Sequence, residues 1–297
     1  TGLGFQPDLL WVKNRDQPDN HRLVDSIRGA TNYIAPNLTN AENTSATNIT
    51  SFDSNGFSIG TAGSVNTNNE DYVAWGWKAS NDSTINNNGS ISSIVSANPA
   101  AGFSVVKYTG NLTASTVGHG LSSAPEFIIV KKTDSISNWF VYSEPEGNTK
   151  YLNLDRTAAS ATFNIWNNTN PTDTVFSLAA QGDVNASGGS YIAYCFHSTD
   201  NQKIGSYSGS SSNVTVTTGF RPRWVMVKST TSAHSWYVID SARGATSSSS
   251  IGLFPNLSNA EASGYGIYFE DNGFVVSSGV GTGTNASGNT YIYLAIA

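Results

Sequence analysis

Two aspartates stand three residues before an arginine and four before a glycine, in Asp25-Ser26-Ile27-Arg28-Gly29 and Asp240-Ser241-Ala242-Arg243-Gly244. A carboxylate with a cation at that spacing could hold a sugar or a phosphate. It also makes a loop-end ion pair with a positive-φ glycine behind it, and this structural reading is favoured, because such pairs ordinarily only order a turn. Glu42 and Glu261 recur at matching offsets, with Asp53 and Asp271 farther on. Two carboxylates held roughly 5–9 Å apart can hydrolyse a glycosidic bond. These acids, however, sit among turn residues, and the middle of the chain offers no clear counterpart. A Ser-Asp-His hydrolase triad is not expected either. His21, His119, His197 and His234 stand at no metal-binding spacing. The stretches 53–56 and 270–273 lack the alternating acids and distal glutamate of a calcium loop. The expectation is therefore no catalytic residue, no metal and no cofactor. Cys195, the only cysteine, sits in an apolar run and reads as a small buried hydrophobe. The one ligand-binding candidate is Trp166 with Asn164 and Asn167. An indole flanked by amides suits a sugar ring and its hydroxyls, although a tryptophan that merely anchors a turn fits the same pattern better.

The elements that must position these residues read as strands. Leu9–Val12, Phe127–Val130 and Trp224–Val227 are short β-branched or aromatic runs, each preceded by proline and closed by a lysine. A second set comprises Tyr72–Trp75, Tyr191–Tyr194 and Tyr291–Leu294, with Asn55-Gly56 and Asn272-Gly273 as turns. No long helical period is present, so the class expected is all-β.

Aligned on Lys13, Lys131 and Lys228, the chain repeats itself. Eight residues past each lysine stands His21, Trp139 or Trp236, and twelve past stands Asp25, Ser143 or Asp240. Sixteen past stands Gly29, Gly147 or Gly244. Asn66, Asn185 and Asn285 each precede a tyrosine by six residues. This predicts three tandem antiparallel β-sandwich-like units of jelly-roll type, at residues 1–79, 102–198 and 202–297. In them Asp25, Arg28, Asp240, Arg243, Trp139 and Trp236 act as structural anchors. Residues 80–101, rich in Asn, Ser and Gly, read as a linker, and 199–201 as a short connection. The second and third units open on an extra aromatic strand, Phe103–Tyr108 and Ile204–Tyr207, which the first lacks. Trp139 and Val141 should face one side of their strand, with Phe140 and Tyr142 on the other. If both sides are apolar, one is a contact surface. A row of units and a pseudo-threefold cluster both satisfy the pattern.

Ser, Thr, Asn and Gly make up 131 of 297 residues while only 12% are charged, so hydroxyls and amides wet the surface. An 11% aromatic share argues against global disorder. A net charge of −6 leaves no basic footprint for nucleic acid. No apolar run reaches the roughly 18 residues of a membrane helix, so membrane insertion is not expected. A single cysteine excludes a disulfide-stapled scaffold.

Several phrases resemble a family of repeat-containing virion proteins of marine bacteriophages, surface-exposed or tail-associated. They are Gly102-Phe103-Ser104 with Tyr108-Thr109-Gly110-Asn111, Val117-Gly118-His119-Gly120-Leu121, Asn138-Trp139 with Val141-Tyr142, residues 191–196, and Gly219–Val225. Gly4-Phe5-Gln6-Pro7-Asp8 and Ser51–Phe57 belong to the same pattern, which covers nearly the whole chain. The resemblance implies a non-enzymatic tail-fibre or virion-surface protein, outside the cell, whose partners are other virion proteins or copies of itself. Adhesion and host glycan recognition would fit such a place. The family carries no agreed catalytic residues.

Overall fold

Each lysine-closed run is a strand at the middle of an antiparallel sheet: Leu9–Asn14, Phe127–Lys132 and Trp224–Ser229 in the computed structural model, which describes residues 2–245, 249–279 and 282–297. Each is flanked on one side by the strand that follows it, Arg22–Asp25, Trp139–Ser143 or Tyr237–Asp240. On the other side lies the tyrosine-led strand, Tyr72–Trp77, Ser190–Phe196 or Thr290–Ile296. The sheets hold three, eight and six strands.

These strands are apolar on both faces, and the two faces enter different cores. Leu9 and Trp11, Phe127 and Ile129, Trp224 and Met226 join a single central cluster with Trp139, Val141, Trp236 and Val238. The alternate residues build three outer cores: Leu10 and Val12 with Ile49, Ile128 and Val130 with Phe176, and Val225 and Val227 with Phe274. Small sheets close these outer cores, such as Ser115–Gly118 with Val175–Leu178, and Val214–Thr217 with Gly273–Val276 and Ile267–Glu270. Each large sheet is thus one layer of an outer sandwich and one wall of a shared centre. Phe140 and Tyr142 lie in an outer core, so the second apolar face is an internal contact surface. The arrangement is a closed cluster about one core, not a row.

Residues 80–101 are not a linker. Thr84–Asn86 and Ser93–Asn98 are strands, and the latter pairs with Phe103–Thr109 from Asn98 to Ser93. Ile91 and Val95 are buried in the outer core of the second stretch. Their β-branched side chains supply the apolar surface that a flexible linker lacks.

Candidate functional site

The lysines that end the central strands are fully buried. Lys131 Nζ donates to Thr39 O (3.0 Å) and Ser137 O (2.7 Å), and Lys228 Nζ to Thr157 O (3.2 Å) and Ser229 O (2.6 Å). Lys13 Nζ donates to Asn14 O and Gln17 O. Burial pushes each amine down to about 8, although Asp19 and Glu261 oppose this at Lys13 and Asp155 does so at Lys131.

The position eight residues on links neighbouring stretches in a cycle. Trp139 Nε1 donates to Leu38 O (3.0 Å) and Trp236 Nε1 to Asn153 O (2.8 Å). His21 closes the cycle in the same sense, its Nε2 lying 3.0 Å from both Phe254 O and Leu257 O. Because Trp11 Nε1 donates to His21 Nδ1 (2.8 Å), the ring proton must sit on Nε2. Burial holds this imidazole neutral, pushed down to about 3. The backbone N–H of this position is capped in each case by a side-chain oxygen, of Asn37, Asp155 or Asn256.

Asp25 and Asp240 each receive the backbone N–H and Nε of their arginine, the latter at 2.6 Å. The same Oδ2 atoms also accept a hydrogen bond from a neighbouring stretch: Tyr194 OH to Asp25 (2.8 Å) and Trp75 Nε1 to Asp240 (3.1 Å). Arg28 reaches Glu42 at 2.8 Å and Arg243 reaches Glu261 at 3.4 Å. Burial works against the Arg28 cation, but Asp25, Tyr194 and Glu42 together hold it above the ordinary guanidinium range. In the second stretch Ser143 replaces the aspartate, and its buried Oγ has no partner among the described residues. The position held by Trp75 and Tyr194 is Leu294 in the third stretch, which has no proton to offer a carboxylate.

Glu42, Ser160 and Glu261 prove to be one recurring position. Glu42 N donates to Thr133 O, Ser160 N to Thr230 O, and Glu261 N to Arg15 O, each two residues past a buried lysine. The glutamates are therefore joints between stretches. Asp53 and Asp271 belong elsewhere: Asp53 accepts from Ser51 and Ser58, and Asp271 pairs with Arg221 at 3.0 Å. Each of these four acids has a hydrogen-bond or ion-pair partner.

The structure places the ring of Trp166, the centre of the ligand-binding candidate, inside the outer core of the second stretch. Trp166 is 2% exposed, packs edge-on against Tyr142, and its indole donates to Lys150 O (3.0 Å). Asn164 and Asn167 are exposed, and Asn167 and Asn168 take positive φ of 52° and 47°. The left-handed pair turns the chain so that the ring points inward, and no ring face remains for a sugar. Cys195 is buried, with its thiol pushed up by desolvation. His119 is likewise held neutral, at about 4, by burial. Among the described residues no three His, Cys, Asp or Glu side chains gather as a metal site.

Sequence reasoning missed Asp8, Tyr194 and Trp75. Asp8 is fully buried and accepts hydrogen bonds from Ser26 Oγ, Ser96 Oγ and the N–H of Ala79. Its position is Glu126 and Arg223 elsewhere, so alignment on the lysines carried no signal for it. Tyr194 and Trp75 share a position but not a residue type. Only their common possession of a donor links them.

Neither the curated proteins nor the solved structures include a significant match to the chain. One family model matches residues 1–297, described as a domain of unknown function. The ring of buried lysines, aspartate–arginine pairs and indole-to-carbonyl bonds is thus the internal framework of a chain that belongs, over its whole length, to the DUF7483 family.

Proposed function

We propose that this chain is a non-enzymatic structural protein of a bacteriophage virion surface, of the tail-fibre type. Three tandem β-sandwich units, at residues 1–79, 102–198 and 202–297, would close around one core in it. The observation that carries the reading is the fate of the recurring polar residues. Lys131, Asp25, Asp240, Arg28, Arg243, Glu42 and Glu261 are all engaged in bonds that order a turn or join one stretch to the next. A chain that commits its repeated carboxylates and cations to internal joints is organised for rigidity rather than turnover. The motif resemblance to phage virion proteins supplies the setting. The low charge and the hydroxyl- and amide-rich composition suit weak, multivalent contact outside a cell. Host glycan recognition now rests on that surface alone, because Trp166 is not available as a platform. A purely architectural role, assembling with copies of itself or other virion proteins, is favoured by the unpaired edge of strand Tyr72–Trp77.

The test is immunogold electron microscopy on purified particles of the phage that encodes the chain. Labelling of the particle exterior is expected, and absence of the chain from purified particles would overturn the assignment. Incubation with host surface polysaccharides should release no reducing ends. Release that disappears in Glu42→Gln or Glu261→Gln would make the protein an enzyme instead.

A further inference from the structure

Two of the three tyrosine-led strands are covered on their outer edge, and the third is open. Phe103–Thr109 pairs along Ser190–Phe196, and Gln202–Ser208 along Thr290–Ile296. Among the described residues Tyr72–Trp77 pairs only with Leu9–Asn14 and ends its sheet. In that ladder the bond from Arg15 N to Asp71 O sets the alternation, so the backbone groups of Tyr72, Ala74 and Gly76 point to the open side.

The covering strands share a set of fixtures. Tyr108 stacks on Tyr191 and Tyr207 on Tyr291, each with ring centroids 5.0 Å apart. Their hydroxyls donate to Val184 O and Thr284 O, both at 2.7 Å. Just beyond, Asn185 Oδ1 accepts from Asn111 N and Asn285 Oδ1 from Ser210 N, while the two amides donate to Thr113 O and Ser212 O. A glycine two residues after the tyrosine is required: a Cβ on Gly110 would lie 2.4 Å from Ala186 O, and one on Gly209 2.1 Å from Ala286 O. Val105 and Ile204, opposite Tyr194 and Leu294, enter the central core.

The open edge keeps the receiving half of every fixture. Tyr72 is held as Tyr191 is, donating to Gly63 O and accepting from Thr67 N, and no ring is stacked on it. Val65 and Asn66 stand in helix Gly63–Asn66 where Val184 and Asn185 stand in Gly182–Asn185. Asn66 is exposed, and its amide bonds only to Gly60 O. Beside the edge runs a groove of about 520 Å³, with Leu3 and Phe5 on one side and Trp224 and Ala242 on the other. Trp224 carries a buried indole N–H that has no acceptor among the described residues.

We propose that the Tyr72–Trp77 edge is the acceptor for a β-strand from outside residues 1–297, added antiparallel. Its pattern is an apolar residue opposite Trp75, a tyrosine opposite Tyr72, then Ser or Thr and Gly. The added backbone satisfies Tyr72, Ala74 and Gly76, its tyrosine stacks on Tyr72 and donates to Val65 O, and its turn is captured by Asn66. The assignment holds whether or not the chain belongs to a virion.

A synthetic peptide with the sequence of residues 202–213 is titrated into the whole chain and followed by fluorescence anisotropy and amide hydrogen exchange. Saturable binding is expected, with exchange slowed at Tyr72, Ala74 and Gly76. Asn66→Ala, at an exposed position, should weaken binding about three- to tenfold through loss of one or two hydrogen bonds. A peptide bearing Gly209→Val should lose more than about tenfold, the cost of a side chain forced against a carbonyl. No binding at millimolar peptide, or protection elsewhere but not at these three amides, would overturn the proposal. So would protection of the edge that grows with protein concentration in the absence of peptide, since a second copy would then be the occupant.

Discussion

A lysine amine buried among carbonyls is an uncommon way to end a strand, and here it occurs three times. The amines are pushed down to about 8 by desolvation, against about 10.4 in an unfolded chain. Between those values the unfolded state binds more protons, so stability rises with pH across that window. Above about 10 the order reverses, because the buried hydroxyls of Tyr108, Tyr194 and Tyr207 are held protonated by burial while unfolded tyrosines ionise. The urea midpoint should therefore climb from neutral pH to a maximum near pH 10 and then fall. Lys228→Met should make the climb shallower; an unchanged slope would mean that the amine does not titrate there. The aspartate joints give a second contrast. Asp240→Ala leaves the buried Arg243 guanidinium without its main partner and should cost about 3–5 kcal/mol in urea denaturation. Ser143→Ala, at the equivalent position, removes a buried hydroxyl that has no partner among the described residues and should stabilise by about 1 kcal/mol. The Asp-x-x-Arg pairing was legible in the sequence, since the spacing is local. Its third member was not, because Tyr194 and Trp75 come from distant strands and share only a donor.

At the scale of elements, strand alternation read from composition agrees with burial wherever both faces are apolar. The exceptions are instructive. Residues 80–101 look polar because Ser93, Ala97 and Asn98 interrupt Ile91, Ile94 and Val95. A pairing partner nevertheless stands ready in Phe103–Thr109, and the ladder forms. The segment around Trp166 looked like an exposed amide-rich loop. Two left-handed asparagines reverse it and drive the indole into the core, a consequence of φ that composition does not display. Trp166→Ala should cost about 3–5 kcal/mol by chemical denaturation, as the loss of a filled core position does. A change near zero would return the ring to the surface.

For the whole molecule, the decisive feature is that the central cluster draws on all three stretches. Each stretch on its own would expose a face bearing residues such as Trp139, Val141 and Tyr194, a larger apolar patch than soluble proteins tolerate. Scanning calorimetry of the intact chain should accordingly show one cooperative transition, and residues 102–198 expressed alone should fail to fold to a well-packed state. Three resolved transitions, or a stable isolated stretch, would show that the outer cores suffice.

The sequence by itself determined the all-β class, the strands closed by lysine and the offsets that recur three times. These are local properties, set by side-chain alternation, turn residues and spacing, and one chain is enough to read them. The tertiary structure alone decided that the apolar faces meet in one centre, that Glu42, Ser160 and Glu261 are one position, and that Trp166 is inside. Those facts depend on which distant carbonyl or ring a side chain meets, and partners separated by a hundred residues leave no mark on the local pattern.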